Sequence, residues 1–278
     1  MRTVTTLLAA SALLLGAGAA VADDHDRIEI DGVVLTLRAP APAYLENMDE
    51  VMSGWLFRSE ETQALQLDDF DNPAFVFLDQ AMDDWSRVEG SEGKSCASCH
   101  EDLSGFAGLK TVLPRVVDGG LQTMEDIINA ERVNRMGAEP LKYDSAAMNR
   151  MVALIGLQSR GMPMNVAVDG DAAPFWEQGR ELYYTRVGQL DMACANCHED
   201  NYGNMIRADR LSQGQINGFP VYRLKNAKLN SVHGRFKGCM KNIRATPYKP
   251  GSEEFKALEL YVASRGNGLS VETPSVRN

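Results

Sequence analysis

A heptapeptide that occurs twice constrains this chain more than any other feature. Residues 96–102 read Cys-Ala-Ser-Cys-His-Glu-Asp and residues 194–200 read Cys-Ala-Asn-Cys-His-Glu-Asp, 98 positions apart. An Arg-Val pair precedes each copy, at Arg87-Val88 and Arg186-Val187. Downstream, Ala138, Pro140, Lys142 and Ser145 match Ala245, Pro247, Lys249 and Ser252 at an offset of 107. Ser-Arg-Gly then closes each half, at 159–161 and at 264–266. The period is too long for a solenoid and has the size of a small domain, so the sequence reads as a duplicated domain. The 278 residues leave room for two such units.

Composition narrows the class further. With 44% hydrophobic and 24% charged residues, the chain is neither disordered, collagenous nor a polytopic membrane protein. A formal charge of -10 gives no reason to expect nucleic acid. Residues 1–22 carry Arg2, an apolar run from Leu7 to Leu15 and the small-residue site Ala20-Val21-Ala22, the pattern of a cleaved secretory signal peptide. Loss of Arg2 takes the mature chain to -11. No other segment reaches membrane-spanning length. The expectation is a soluble exported protein, periplasmic in a bacterial host.

The fold expected is mostly α: two tandem cytochrome-c-like helical domains, 23–165 and 166–278, the first with an N-terminal extension. Ser252 can cap a helix that carries Glu253 and Glu254 in its first turn and stops at Gly266, with a counterpart from Ser145 to Gly161. A third helix starts near Pro174 and ends before Gly188. Residues 162–173 read as a linker. Alternation around Asp31-Gly32 predicts a small hairpin over Arg27–Leu37. Residues 38–95 are expected to supply extra helices wrapped around the first half.

Cys-x-x-Cys-His is the attachment motif of c-type haem: two thiols add across the vinyl groups, and the histidine ligates iron. Cys96, Cys99 and His100 should therefore hold one haem, and Cys194, Cys197 and His198 a second. A thioredoxin-like redox pair lacks the histidine, and a shared zinc site does not suit motifs 98 residues apart. No cysteine is left for a disulfide, because only Cys239 lies outside the motifs. It is surrounded by Arg235, Lys237, Lys241 and Arg244 in an otherwise acidic chain, a setting that stabilises a thiolate and attracts an anion. Its position, 42 residues after Cys197, is where a distal ligand loop of a small cytochrome c falls. Cys239 is thus a candidate iron ligand or reactive thiol rather than an inert core cysteine. Met240 is the competing axial ligand. His25 lies in the mature terminus, and His233 is read as a polar group beside the basic cluster, with a ligand role as the alternative.

At this point the sequence resembles the SoxA family, the A subunits of the SoxAX cytochromes of thiosulfate oxidation, in their dihaem form. The resemblance rests on Cys194-Ala-Asn-Cys-His198, Ser212-Gln-Gly-Gln215, Phe219-Pro-Val-Tyr-Arg223, Arg235-Phe-Lys-Gly-Cys239, Ile243-Arg-Ala-Thr-Pro-Tyr248, the segment 258–266 and the tail 271–277. It implies two haem c groups, a small SoxX cytochrome subunit, and a SoxYZ carrier that presents a cysteine. It also implies the reaction, an oxidative coupling of thiosulfate to that cysteine that gives an S-thiosulfonate and sends two electrons through haem to a cytochrome acceptor. Carried over by position, Cys239 ligates the active-site haem as a thiolate or persulfide, and Arg235 holds the substrate anion. Related chains often carry another cysteine ligand where Glu131 stands here. The first haem is therefore expected not to be thiolate-ligated, with Met124 or Met136 as alternative ligands or an open or water-bound iron, and it is expected not to be the catalytic site. The rival readings are a plain dihaem electron carrier, a dihaem peroxidase and a thiosulfate dehydrogenase.

Overall fold

A computed structural model describes residues 26–278; the leader and His25 lie outside the described residues. The chain opens with the expected hairpin, β1 (Arg27–Ile30) against β2 (Val33–Thr36), in register Ile28–Leu35. A second antiparallel pair follows, β3 (Arg38–Pro40) and β4 (Glu50–Met52), then the short helix α1 (Glu60–Ala64).

This extension differs from the expectation in two ways. It holds little helix, because residues 75–86 belong to the duplicated unit itself. It also wraps mainly the second half, with Asp69 paired to Arg160 as its tie to the first. Tyr44 Oη donates to the Ser264 carbonyl at 2.7 Å, and Met52 N–H donates to Gln213 Oε1 at 2.8 Å. Ser53 and Gln66 bind the buried carboxylate of Glu272, and Arg58 pairs with Asp209. Buried polar groups must find partners, and those of the extension find them near the C-terminus.

The first half consists of α2 (Phe75–Ser86), the turn that carries Cys96–Ser98, the hairpin β5 (Arg115–Val117) and β6 (Gly120–Gln122), α3 (Met124–Met136) and α4 (Ala146–Leu157). The second half repeats the pattern: α5 (Ala173–Tyr184), α6 (Cys194–His198), β7 (Met205–Ile206), β8 (Asp209–Arg210), β9 (Val221–Arg223), β10 (Lys228–Asn230), α7 (Val232–Asn242) and α8 (Glu253–Ser264). The last strand, β11 (Ser275–Arg277), lies parallel to β9, which pairs antiparallel with β10 on its other side.

The caps behave as the sequence predicts. Ser145 Oγ accepts from Met148 N–H and Ser252 Oγ from Phe255 N–H, each satisfying one free amide of a first turn. Each half has its own core. Leu78, Trp85, Ile128, Met148 and Ile155 pack in the first, and Tyr183, Phe255, Leu258 and Tyr261 in the second. The duplication extends to tight contacts. Gly90 and Gly188, at φ +75° and +74°, lie against the ends of α3 and α7, where a Cβ would fall 2.1 Å from the Met136 carbonyl and 2.4 Å from that of Ile243.

Residues 162–173 are not a free linker. Met164 and Val166 are buried, Met164 N–H donates to the Leu269 carbonyl at 2.8 Å, and Asn165 N–H donates to that of Thr111 at 2.8 Å. The two halves are also tied directly, by Asn149 Nδ2 to the Leu229 carbonyl at 3.1 Å and by Lys256 to Asp126 at 3.1 Å.

Candidate haem and sulfur site

In the first half, Cys96, Cys99 and His100 line a partly open cavity. Trp85, Phe106, Ile128, Met151 and Ile155 give it an apolar wall, and Glu131, Arg132, Arg135 and Met136 enter it from α3. The His100 ring packs against Phe106 at 5.0 Å and Trp85 at 6.0 Å. Met136 is placed to face the motif. Met124 is not: as the first residue of α3 it is buried in the core, away from this cavity.

The register of α3 against α7 decides what stands opposite the motif histidines. Thr123 caps α3 and Ser231 caps α7, each with its hydroxyl. Eight residues on from each cap lie Glu131 and Cys239. The helices part company only in the last turn. Ala245 N–H bonds the Met240 carbonyl, five residues back, whereas Ala138 N–H bonds that of Arg132, six back. The extra residue of α3 is thus absorbed after Glu131. Glu131 occupies the position of Cys239, and its carboxylate pairs with Arg135 at 2.7 Å.

In the second half, His198 is oriented from behind. Its Nδ1–H donates to the Ser212 carbonyl at 2.8 Å, which leaves Nε2 free to ligate a metal. Gly214, at φ +81°, makes room for the ring: a Cβ there would fall 2.9 Å from His198 Cγ. Opposite stands Cys239, on α7 and hence on a helix rather than the expected loop. Gly234 and Gly238 argue locally against a helix. The Ser231 cap and the burial of Val232 and His233 override them, with Phe236 packed on the second core.

Four residues separate Arg235 from Cys239, one helical turn, so both lie on one face. Burial opposes ionisation of Cys239. The Arg235 guanidinium, the hydrogen bond and charge of His198, and Arg223 outweigh it and bring the thiol down to about 7. The motif thiols move the other way. Burial, then the neighbouring Cys239 and Cys197, push Cys194 up to about 12, and burial followed by Cys239 raises Cys197. Burial also raises Cys96. Cys239 is therefore poised as a thiolate beside the histidine. Met240 packs instead on the second core and lines a separate cavity with Gly188, Ala245 and Tyr248.

The rest of the basic cluster disperses. Lys237 pairs with Asp144 at 3.2 Å, and Lys241 and Arg244 are exposed. His233 is 1% exposed and turned away from the motif. Its Nδ1 accepts from Gly251 N–H at 2.9 Å, its Nε2 lies 2.9 Å from Glu259 Oε2, and Tyr143 stacks on it at 5.6 Å. Sequence reasoning gave no role to Arg223, on β9, whose charge helps to lower the Cys239 thiol. Sixteen residues of separation hide that effect, and no local pattern signals it.

Both motif sites fit a covalently attached haem c. The first offers an apolar cavity with two thiols and an imidazole, and the second an imidazole whose tautomer is set for a metal. The family model for the SoxA/TsdA cytochrome c domain matches residues 80–164 and again 178–271. The L-cysteine S-thiosulfotransferase subunit SoxA of Rhodovulum sulfidophilum is 55% identical over 287 residues, covering 100% of both chains. The chain belongs to the SoxA family. A SoxA subunit from Pseudaminobacter salicylatoxidans is 45% identical over 91% of this chain and 89% of its own. The crystal structure of SoxXA from P. pantotrophus superposes with a TM-score of 0.87 at 55% identity, covering 91% of this chain and 97% of that one. As in that family, the architecture is two cytochrome c domains, and the domain implies covalent haem c. Among the described residues, no helix is long and apolar enough to cross a membrane.

Proposed function

We propose that this SoxA-family chain is the catalytic haem subunit of an L-cysteine S-thiosulfotransferase, and that its active site is the Cys239 site. The reaction joins the outer sulfur of thiosulfate to a carrier cysteine. A thiolate and the thiosulfate dianion give a cysteine S-thiosulfonate with one negative charge, and two electrons are released. Cys194, Cys197 and His198 would hold a haem c, which would supply a one-electron acceptor through which the two electrons leave in turn to a cytochrome acceptor. Cys239 stands at the transfer site as a thiolate or persulfide and gives no atom to the product, and Arg235 offsets the charge of the substrate anion.

The observation that carries this reading is the thiolate-favouring setting of Cys239, with His198 and Arg235 beside it. A plain electron carrier has no use for a lone thiol with a cation one turn away. Cys96, Cys99 and His100 hold a second haem in this reading, outside the transfer itself. The partners are a SoxX-like cytochrome subunit and a SoxYZ-like carrier, in the periplasm after removal of residues 1–22. Mass spectrometry after turnover with thiosulfate and the carrier tests it. The carrier cysteine should gain a thiosulfonate, and Cys239 should carry an added sulfur. Free tetrathionate with an unmodified carrier would make the chain a thiosulfate dehydrogenase instead.

A further inference from the structure

Among the described residues, His233 is the one histidine outside the two motifs, and the proposed function leaves it unused. It is 1% exposed, in the first turn of α7. Its ring lies among aromatic neighbours, Phe255 at 5.4 Å, Tyr143 at 5.6 Å and Phe236 at 6.2 Å. A phenylalanine would satisfy that setting, so two buried nitrogens need another reason. Both are engaged. Nδ1 accepts from Gly251 N–H at 2.9 Å, which places the ring proton on Nε2. Nε2 lies 2.9 Å from Glu259 Oε2, and neither atom has another hydrogen-bonding partner.

His233 thus joins three segments at one point: the start of α7, the end of the loop that returns from α7 at Gly251, and α8 through Glu259. The stacked Tyr143 brings in the first half. Its Oη donates to Asp126 Oδ1 at 2.7 Å and meets the hydroxyl of Thr123, the cap of α3, at 2.8 Å.

This anchorage bears on Cys239. Of the eleven residues of α7 only Val232 and His233 are buried. Phe236 and Met240 rest on the second core half-buried, and Gly234 and Gly238 weaken the helix between them. Cys239 follows His233 by six residues, about 9 Å along the axis at about 1.5 Å per residue. A tilt of about 5° at the first turn would move the sulfur by roughly 0.8 Å. Metal ligation tolerates about 0.2 Å, and a misplacement of about 1 Å can cost on the order of a hundredfold in rate.

We propose that His233 is a positioning residue for Cys239: through Gly251 and Glu259 it fixes the first turn of α7, and with it the place of the sulfur against the second motif. This rests on the reading of Cys239 as the sulfur centre. His233 is turned away from the motif and makes or breaks no bond.

The test uses the haem-loaded chain with its partner subunit, in the variant His233→Phe. That change keeps the ring and its packing and removes both nitrogens. The second haem should lose part of its thiolate-type spectrum, and its midpoint potential should rise. Iodoacetamide should label Cys239 severalfold faster than in the parent. The other four cysteines are those of the motifs, so the label reports this thiol alone. Turnover with thiosulfate and the carrier should fall roughly tenfold or more, while the first haem keeps its spectrum. His233→Asn, whose Oδ1 accepts from Gly251 N–H in place of Nδ1, should recover part of each loss. Parental spectrum, potential and labelling rate in His233→Phe overturn the inference, however far the melting temperature drops, because packing alone would then account for the residue. If His233→Phe fails to load haem, His233→Asn decides: a smaller shift in the same direction supports the inference, and parental values overturn it. Cys239→Met separates the two readings. If that variant turns over normally, the reading of Cys239 itself falls; if it is dead while His233→Phe keeps the parental spectrum and potential, only the positioning role falls.

Discussion

The two motif sites of this chain began as copies and now differ chiefly at one position on one helix. Each has its Cys-x-x-Cys-His, its preceding helix and a glycine pressed against the helix that faces the motif. Eight residues from the cap of that helix, the second site has Cys239 and the first has Glu131. Cys239 faces His198, and the charges of Arg235 and Arg223 lower its thiol. Glu131 turns to Arg135 on its own helix, and Arg132 beside it is consumed by Glu89 at 2.6 Å. The difference teaches that one scaffold can present either a carboxylate or a thiol opposite a motif histidine; in the proposed function the chemistry depends on that thiol and on the cation one turn from it.

Removing the sulfur should have the largest effect. Cys239→Met retains a thioether for iron but no thiolate, so haem loading should persist while turnover falls on the order of a thousandfold or more. Full turnover in a variant shown to have His/Met ligation would erase the distinction between the sites. The reciprocal change sharpens it. Glu131→Cys places a thiol opposite His100, and the first haem should acquire a thiolate-type spectrum and a lower potential. Thiosulfate turnover should not increase, because Arg132 stays paired with Glu89 and Arg135, which the substitution releases from Glu131, is largely exposed and screened by solvent. A gain in turnover would show that a thiol and an exposed cation suffice.

A smaller effect tests how the second histidine is held. Gly214→Ala must keep a left-handed backbone and displace the His198 ring, and it should cost about 1–3 kcal/mol, read as a lower melting temperature with a perturbed second haem. An unperturbed haem would show that the ring has other support. The smallest effect concerns the seam between the halves. Burial, and then the Glu259 carboxylate, push Glu125 up to about 7 from an ordinary 4.5, with His233 opposing. The folded chain therefore holds a proton that the unfolded chain has released between these values, and stability falls as pH rises from about 4.5 to about 7. Glu125→Gln should flatten that decline and melt a few degrees above the parent at pH 8, on a scale of roughly 2–4 °C per kcal/mol. Parallel melting curves from pH 5 to pH 8 would remove Glu125 as the source.

Much of this was legible because it is covalent or local. The two motifs, the caps at Ser145 and Ser252, the hairpin at Asp31-Gly32 and the match to the SoxA family are patterns of neighbouring residues, whose chemistry is specified by spacing alone. The sequence also singled out Cys239 and Arg235, through the basic cluster around the one spare thiol and the family resemblance, and it located the missing thiol at Glu131.

Tertiary structure decided the rest, because those features depend on which distant groups share a buried space. Whether α7 forms at all depends on a core that outweighs two glycines. Lys237, Lys241 and Arg244 look equivalent to Arg235 in the sequence, yet Asp144 and solvent claim them. The charge of Arg223 acts on Cys239 from another element, the extension at 38–74 finds most of its partners in the second half, and Met164, Val166 and Ala172 of the segment 162–173 are buried. Local propensity is summed along the chain, whereas desolvation and the pairing of charges are settled only where the folded chain brings separate segments into contact.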